Sequence, residues 1–380
     1  MTRPADLAVL DLGVQDTPAG SARLALAARL GPSTDLGDSA LFDGKDPLAM
    51  VWSHRGAPHL HRGADLVGLV RASWPWSDAD AKARMGRAAT RLAGAGIAAR
   101  EGLSITAQAW RSALAGAGPD GLTKGEASAE VTRRLPDEVP EWCRGCQSTH
   151  VNELLFRLAS LPGGARLVPG SSPLTFVPIA DWPGVPAEPA GTDRLLRAYL
   201  RLLGPGTPTE AAGFLGTSGR SVASPWQDGL ADDLVEVRVD GRPAWMEPDE
   251  LDEVAAAPPA ELVRLVAASD PYLQTRNRDL LVPDPAHRKA LWKILGNPGA
   301  VLVDGEVAGI WRAKQTKQTK PNRQVEGRRA PGAADGPSGV LEVTVEPFGR
   351  LSAATRLALA GEADRVARIR GLEAAQLRTA

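Results

Sequence analysis

Leu122-Thr123-Lys124-Gly125-Glu126 opens the stretch whose reading decides the fold. Thr123 and Glu126 stand three apart, the signature of a capping box in which hydroxyl and carboxylate each take a backbone N–H. The helix that starts here is expected to run to about Leu135. A second helix is expected from near Ser148, because Val151, Leu154, Leu155 and Leu158 repeat at the spacing of a packed helical face. Gly163-Gly164 would end it. Arg166-Leu167-Val168, a turn from Pro169, and Leu174-Thr175-Phe176-Val177 then read as a β-hairpin. Two helices followed by a hairpin is the order of a winged helix.

About 85 residues on, the order repeats. A helix over Asp193–Leu203 carries Leu195, Tyr199 and Leu202 on one face. Thr207-Pro208-Thr209-Glu210 is a second Thr-x-x-Glu start, with Pro at the first helical position. A further helix begins at Ser218. Leu234–Val239, the Asp240-Gly241 turn and Pro243-Ala244-Trp245 form a hairpin, since Asp-Gly suits the turn that strand twist favours. Upstream, Leu24–Leu30 reads as a helix that Ser21 would cap, a short His-rich extended run spans Ser53–His61, and a helix is expected over Asp78–Ala95. Downstream, Val301-Leu302-Val303, Asp304-Gly305 and Val307–Trp311 form a hairpin, Gly339–Val345 a third strand, and Ser352–Ile369 a closing helix. The expected class is α+β, mainly α. It comprises an N-terminal motif-bearing helical region (1–104), tandem winged-helix units (105–184 and 190–257) and a C-terminal small antiparallel β-barrel with a basic loop (260–380).

Composition narrows the function classes. At 380 residues the chain exceeds the roughly 250–300 at which single cores stop growing. Its 40 Gly are scattered without a three-residue period, which excludes collagen. The apolar runs fall short of the roughly 20 residues of a membrane span, and Met1–Asp6 lacks the form of a signal peptide. A cytoplasmic or nucleoid-associated protein is expected, with no membrane partner, and a monomer is the working expectation. Net charge is −1, yet the positive charge is uneven. Between Arg312 and Arg329 stand Lys314, Lys317, Lys320, Arg323 and Arg328 against the single acid Glu326. Such a local patch is an electrostatic footprint for DNA, or else a solvated loop. Cys143-Arg144-Gly145-Cys146 and His150 supply three soft ligands where a structural zinc usually takes four. They read as two thiols without metal, and Trp142 beside them reads as core. With no Walker-type loop or dinucleotide Gly motif, no nucleotide cofactor is implied.

Several segments, in order, resemble the AlkZ/YcaQ-like winged-helix DNA glycosylase family. Gly13-Val14-Gln15-Asp16-Thr17-Pro18 followed by Leu24–Leu30 resembles its N-terminal motif, and Arg55-Gly56-Ala57-Pro58-His59-Leu60 its Arg-Gly-Thr-x-His segment with Ala57 for Thr. Arg197-Ala198-Tyr199-Leu200 with Leu203-Gly204-Pro205 is similar to its second winged-helix opening. Asp270-Pro271-Tyr272-Leu273 with Arg276-Asn277-Arg278 is similar to its Asp-Pro-Tyr segment. Val303-Asp304-Gly305 with Gly309-Ile310-Trp311 is similar to its barrel hairpin. The resemblance implies a concave double-stranded-DNA-binding body that excises alkylated bases, including bulky adducts and crosslinks at purine N7, without metal. It also implies a Gln-x-Gln or Gln-x-Asp site. Gln15 matches the first position, Thr17 stands at the second, and Asp16 lies one register early.

An N7-alkylated purine is cationic and leaves without being protonated. The enzyme has to stabilise an oxocarbenium-like sugar and place a water beside C1′. A Gln amide holds that water, and a carboxylate stabilises the sugar and accepts the proton. Gln15 and Asp16 share these roles if a turn aims both at one point. In a strand, neighbours face apart and Gln15 is left with Thr17. Asp16 or Thr17 also suits capping of the helix that follows. His59 is expected to touch the phosphate beside the lesion or to position the water. Arg55, His150, Arg157, Arg276, Arg278, Arg312, Lys314, Lys317 and Lys320 are expected to face DNA. Thr17 at the second position keeps another reading open, a non-catalytic winged-helix DNA-binding protein acting as regulator or lesion protector.

Overall fold

Residues 14–178 contribute the strands of one antiparallel sheet in a computed structural model that describes residues 2–31, 34–43, 47–316 and 339–379. The strand order is Val14–Gln15, Pro58–Arg62, Leu48–Trp52, Ala165–Leu167, Thr175–Pro178, Leu122–Thr123. Leu48-Ala49-Met50-Val51-Trp52 is buried throughout, as an unbroken apolar run at a sheet centre should be. Met50 pairs with Leu167, so the N-terminal region and the first hairpin share one sheet and one core. Helix Ala99–Ala115 backs this core. Trp110 stacks on Phe156 at 4.5 Å between ring centroids and donates Nε1–H to the Phe156 carbonyl at 2.8 Å. Lys124–Arg133 carries the reciprocal Thr123/Glu126 capping box.

The second unit repeats the order. Helices Thr192–Leu203, Pro208–Leu215 and Gly219–Gly229 precede the hairpin Val235–Val239/Arg242–Met246, and Gly206 bridges Trp245. Thr207 and Glu210 form another reciprocal box, and Ser218 caps the third helix. Asp240 and Gly241 both take positive φ, as the two-residue turn requires. Leu196, Tyr199, Phe214, Val222 and Trp226 form a core that this unit shares with Leu12, Val51, Leu66 and Val70 of the N-terminal region.

Several expectations are corrected. Asp78–Ala95 is two helices, Asp78–Met85 and Arg87–Gly94, because Gly86 takes φ 52° and ψ −120°. The second helix of the first unit starts at Glu153, where the Asn152 side chain accepts from Leu154 and Leu155 N–H, and Ser148–His150 is a strand paired with Glu141–Cys143. Trp142 on that ribbon is 60% exposed and belongs to no core. Helix Ser21–Arg29 carries no cap from Ser21; the Asp16 carboxylate serves it instead. The C-terminal part is a five-stranded sheet curled into a half-barrel, and it is not antiparallel throughout. Its order is Val263–Val266, Gly299–Val303, Glu306–Thr316, Val340–Pro347, Ala374–Thr379, with the last strand parallel to its neighbour. Helix Ala353–Ile369 makes the crossover and packs on that sheet. Lys317, Lys320, Arg323, Arg328 and Arg329 lie outside the described residues. Among the described residues no helix is long and apolar enough to cross a membrane.

Candidate active site

The Val14–Gln15 strand pairs with Leu60 and His59, and Asp16 N–H extends the ladder to the Pro58 carbonyl at 2.8 Å. Residues directly opposite in a ladder share a face, so Gln15 stands over His59. Its Oε1 accepts from Arg55 Nη2 at 3.2 Å, and its backbone carbonyl accepts from Ser269 Oγ at 2.9 Å. A guanidinium only donates, so the amide oxygen must face Arg55 and the NH2 points away from it. Asp16, the next residue, turns to the N-terminus of helix Ser21–Arg29 and accepts the Ala22 N–H at 2.9 Å. Thr17 is exposed.

Arg55 has a left-handed backbone, φ 59°. Its guanidinium donates to the Phe214 carbonyl, to Gln15 and, at 3.4 Å, to Gln274 Oε1, and it lies 5.2 Å from the Phe214 ring centroid. These partners are all neutral. Burial, then the nearby Arg276 charge, lowers Arg55 to about 10. It is therefore a half-buried cation held by dipoles, still short of an anion. Arg157 closes one side, donating to the Gly56 carbonyl at 3.4 Å and to Glu153 at 2.6 Å, with its guanidinium 4.8 Å from the Trp52 ring. Arg276 donates to the Gly213 carbonyl, and Arg278 sits over Trp292.

Below Gln15 lie three buried histidines, His54, His59 and His61, with ring centroids 5.5 to 6.1 Å apart. His59 Nδ1–H donates to the Ala57 carbonyl at 2.9 Å, and His54 Nε2–H to the Leu12 carbonyl at 3.1 Å. Burial first, then mutual repulsion and Arg55, pushes His54 and His59 well below the usual imidazole range. Burial lowers His61 to about 3. His59, expected at the flanking phosphate or at the water, is 2% exposed and donates its Nδ1–H to the Ala57 carbonyl.

Sequence reasoning missed Ser269, Gln274 and Phe214, whose contacts reach Gln15 or Arg55 across more than 150 positions. Gln274 follows the Asp270-Pro271-Tyr272-Leu273 segment directly, and that adjacency was its only signal. His150, Arg312 and Lys314 stand on other elements, and none of their described bonds reaches this cluster. His150 Nδ1–H donates to the Val151 carbonyl at 2.7 Å, Arg312 donates to the Gly296 carbonyl at 2.9 Å, and Lys314 pairs across the sheet with Glu342. His150 belongs instead with Cys143 and Cys146, their ligand atoms all within 4.8 Å of one another. There the Cys146 N–H, the His150 ring and the Gly145 N–H lower the Cys143 thiol to about 7.

Arg55 thus stands as a cation among neutral partners beside the fixed Gln15 amide, with Phe214 of the second helical unit against it. The chain belongs to the AlkZ-like DNA glycosylase family, which it matches over residues 10–369. It is 32% identical over 136 residues to the interstrand DNA cross-link repair glycosylase of Streptomyces sahachiroi, a match covering 35% of this chain and 37% of that relative. Its fold resembles the solved Streptomyces sahachiroi DNA glycosylase AlkZ with a TM-score of 0.67. That likeness spans 100% of this chain and 94% of the other at 22% identity.

Proposed function

We propose that this chain is a monofunctional DNA glycosylase that hydrolyses the N-glycosidic bond of alkylated purines in duplex DNA, N7 adducts and crosslinks included. The repeats at 105–184 and 190–257 act as winged helices, and residues 260–380 form the C-terminal sheet unit beside them. The single observation that carries the reading is Gln15, its amide oxygen held by Arg55 at the junction of the units. With that oxygen engaged, Gln15 presents N–H donors to a water, orienting its lone pair toward C1′. The water's proton then needs another acceptor, and Asp16 is the adjacent carboxylate. As the C1′–N9 bond breaks, its electron pair neutralises the cationic purine; the water oxygen bonds C1′, and its proton passes to Asp16. Thr17 orients the water from the exposed side, and His59 holds Gln15 from below as a neutral support. The lesion-flanking phosphate supplies the anion that Arg55 lacks, while Arg157, Arg276, Arg278, Arg312, Lys314 and the Lys317/Lys320 segment meet neighbouring phosphates.

The supporting experiment is single-turnover excision from an N7-alkylguanine duplex, with binding followed in parallel. Gln15→Ala is expected to lose on the order of 10² or more in rate while keeping affinity. The engagement of Asp16 with Ala22 N–H favours a second reading, the non-catalytic winged-helix binder. Salt-dependent binding with no base release above the Gln15→Ala background, across a panel of N7 adducts, would select it.

A further inference from the structure

The ribbon Glu141–Cys143/Ser148–His150 interrupts the first helix–helix unit, and nothing apolar holds it together. Its strands are three residues each, and no residue from Glu141 to His150 is buried. Two-stranded ribbons of this size are marginal in water without a staple. Its tight end carries Cys143 and Cys146, both free thiols, and His150 closes the far strand. Cys143 Sγ lies over the Gly145 turn, 3.9 Å from where a Gly145 Cβ would stand. His150 Nδ1–H is tied to the Val151 carbonyl at 2.7 Å, which fixes the tautomer and leaves Nε2 as the ligand nitrogen. That Nε2 atom is buried, and the Cys143 thiol lies beside it.

We propose that Cys143 Sγ, Cys146 Sγ and His150 Nε2 bind one Zn2+, with water as the fourth ligand. A tetrahedral site with metal–ligand bonds of about 2.0–2.3 Å needs ligand atoms about 3.5 Å apart. The three atoms, already within 4.8 Å, reach that by side-chain rotation. Binding releases the two thiol protons to solvent, and the site is electrically neutral: two thiolates balance the ion, with neutral imidazole and water completing it. Two residues beyond His150, Asn152 caps helix Glu153–Ser160, which carries Arg157 against Gly56. The metal therefore staples the ribbon that leads into this helix. The other ribbon face presents Trp142.

The test uses the full chain purified under reducing conditions in zinc-containing buffer without chelator. Elemental analysis is expected to find about one zinc per chain. Exchange with Co2+ should give the visible bands of a tetrahedral site and a thiolate charge-transfer band in the near ultraviolet. Cys143→Ser/Cys146→Ser and His150→Ala should each lose the metal, with far-ultraviolet circular dichroism reporting that the rest stays folded. A metal-free chain with both thiols reduced would overturn the assignment. So would a Cys143–Cys146 disulfide that forms despite reductant, or zinc content unchanged in the double variant.

Discussion

At the scale of one residue, Asp16 has two jobs that a pair of substitutions separates. Its carboxylate takes Ala22 N–H at the start of helix Ser21–Arg29, and in the proposed reaction it also takes the water's proton. Asn caps a helix about as well as Asp, whereas Ala forfeits about 1 kcal/mol. Asp16→Asn should therefore keep the thermal midpoint of the wild type and lose excision by roughly 10²–10⁴-fold. Asp16→Ala should lose both. Full activity in Asp16→Asn would reduce Asp16 to a cap and pass the proton elsewhere. Gln15, Arg55 and His59 were picked out from short local motifs, which the fold places on paired strands for Gln15 and His59 and in the intervening turn for Arg55. Ser269 and Gln274 were not, since hydrogen bonds across 254 and 219 positions leave no spacing to read.

At the scale of the element, the Gln15 strand depends on the residue before it. Gly13 has φ +78°, and a Cβ there would fall 2.2 Å from the His61 ring. Gly13→Ala meets both a left-handed backbone penalty, about 1–2 kcal/mol, and the buried His61 ring. Overpacking a core adds about 1–3 kcal/mol. The variant should lose about 3 kcal/mol in urea unfolding and release base more slowly, because His61 and the strand move together. A stability within about 0.5 kcal/mol of wild type would show that the ring yields freely. The elements read correctly from sequence carry their own punctuation: the Thr123/Glu126 and Thr207/Glu210 boxes, Ser218, Ser352 and the Asp-Gly turns. Helix Ala99–Ala115 has no side-chain cap, and strand Ala374–Thr379 has no buried residue. Neither signal was there to find. Ser148–His150 was misread because the apolar spacing that begins at Val151 was extended backwards past Asn152, the true cap.

At the scale of the whole molecule, residues 269–276 hold the parts in register. Ser269 bonds Gln15, Asp270 forms a two-bond ion pair with Arg29 at 2.8 and 2.9 Å, Gln274 accepts from Arg55, and Arg276 reaches Gly213 in the second unit. Such convergence is a property of the assembled chain, and no local spacing announces it. The histidine cluster beneath that junction makes the assembly acid-sensitive. His54, His59 and His61 are neutral when folded and titrate near 6.5 when unfolded. Below pH 6.5 the unfolded chain binds protons that the folded one refuses, so stability present above 6.5 is lost as pH falls toward each folded value, about 3 for His61. Each ring contributes a slope of up to about 1.4 kcal/mol per pH unit. His150, raised chiefly by its bond to the Val151 carbonyl, acts with the opposite sign and above 6.5. Carboxylates act mostly below about pH 4.5. In the Cys143→Ser/Cys146→Ser variant, which holds no zinc, the window from pH 6.5 to 5 therefore belongs to the three buried rings. Urea midpoints across that window should fall steeply, and His61→Leu should shallow the slope by about one proton. A flat profile between pH 6.5 and 5 would mean that the rings gain water or a counter-charge on acidification and are not sealed beneath Gln15.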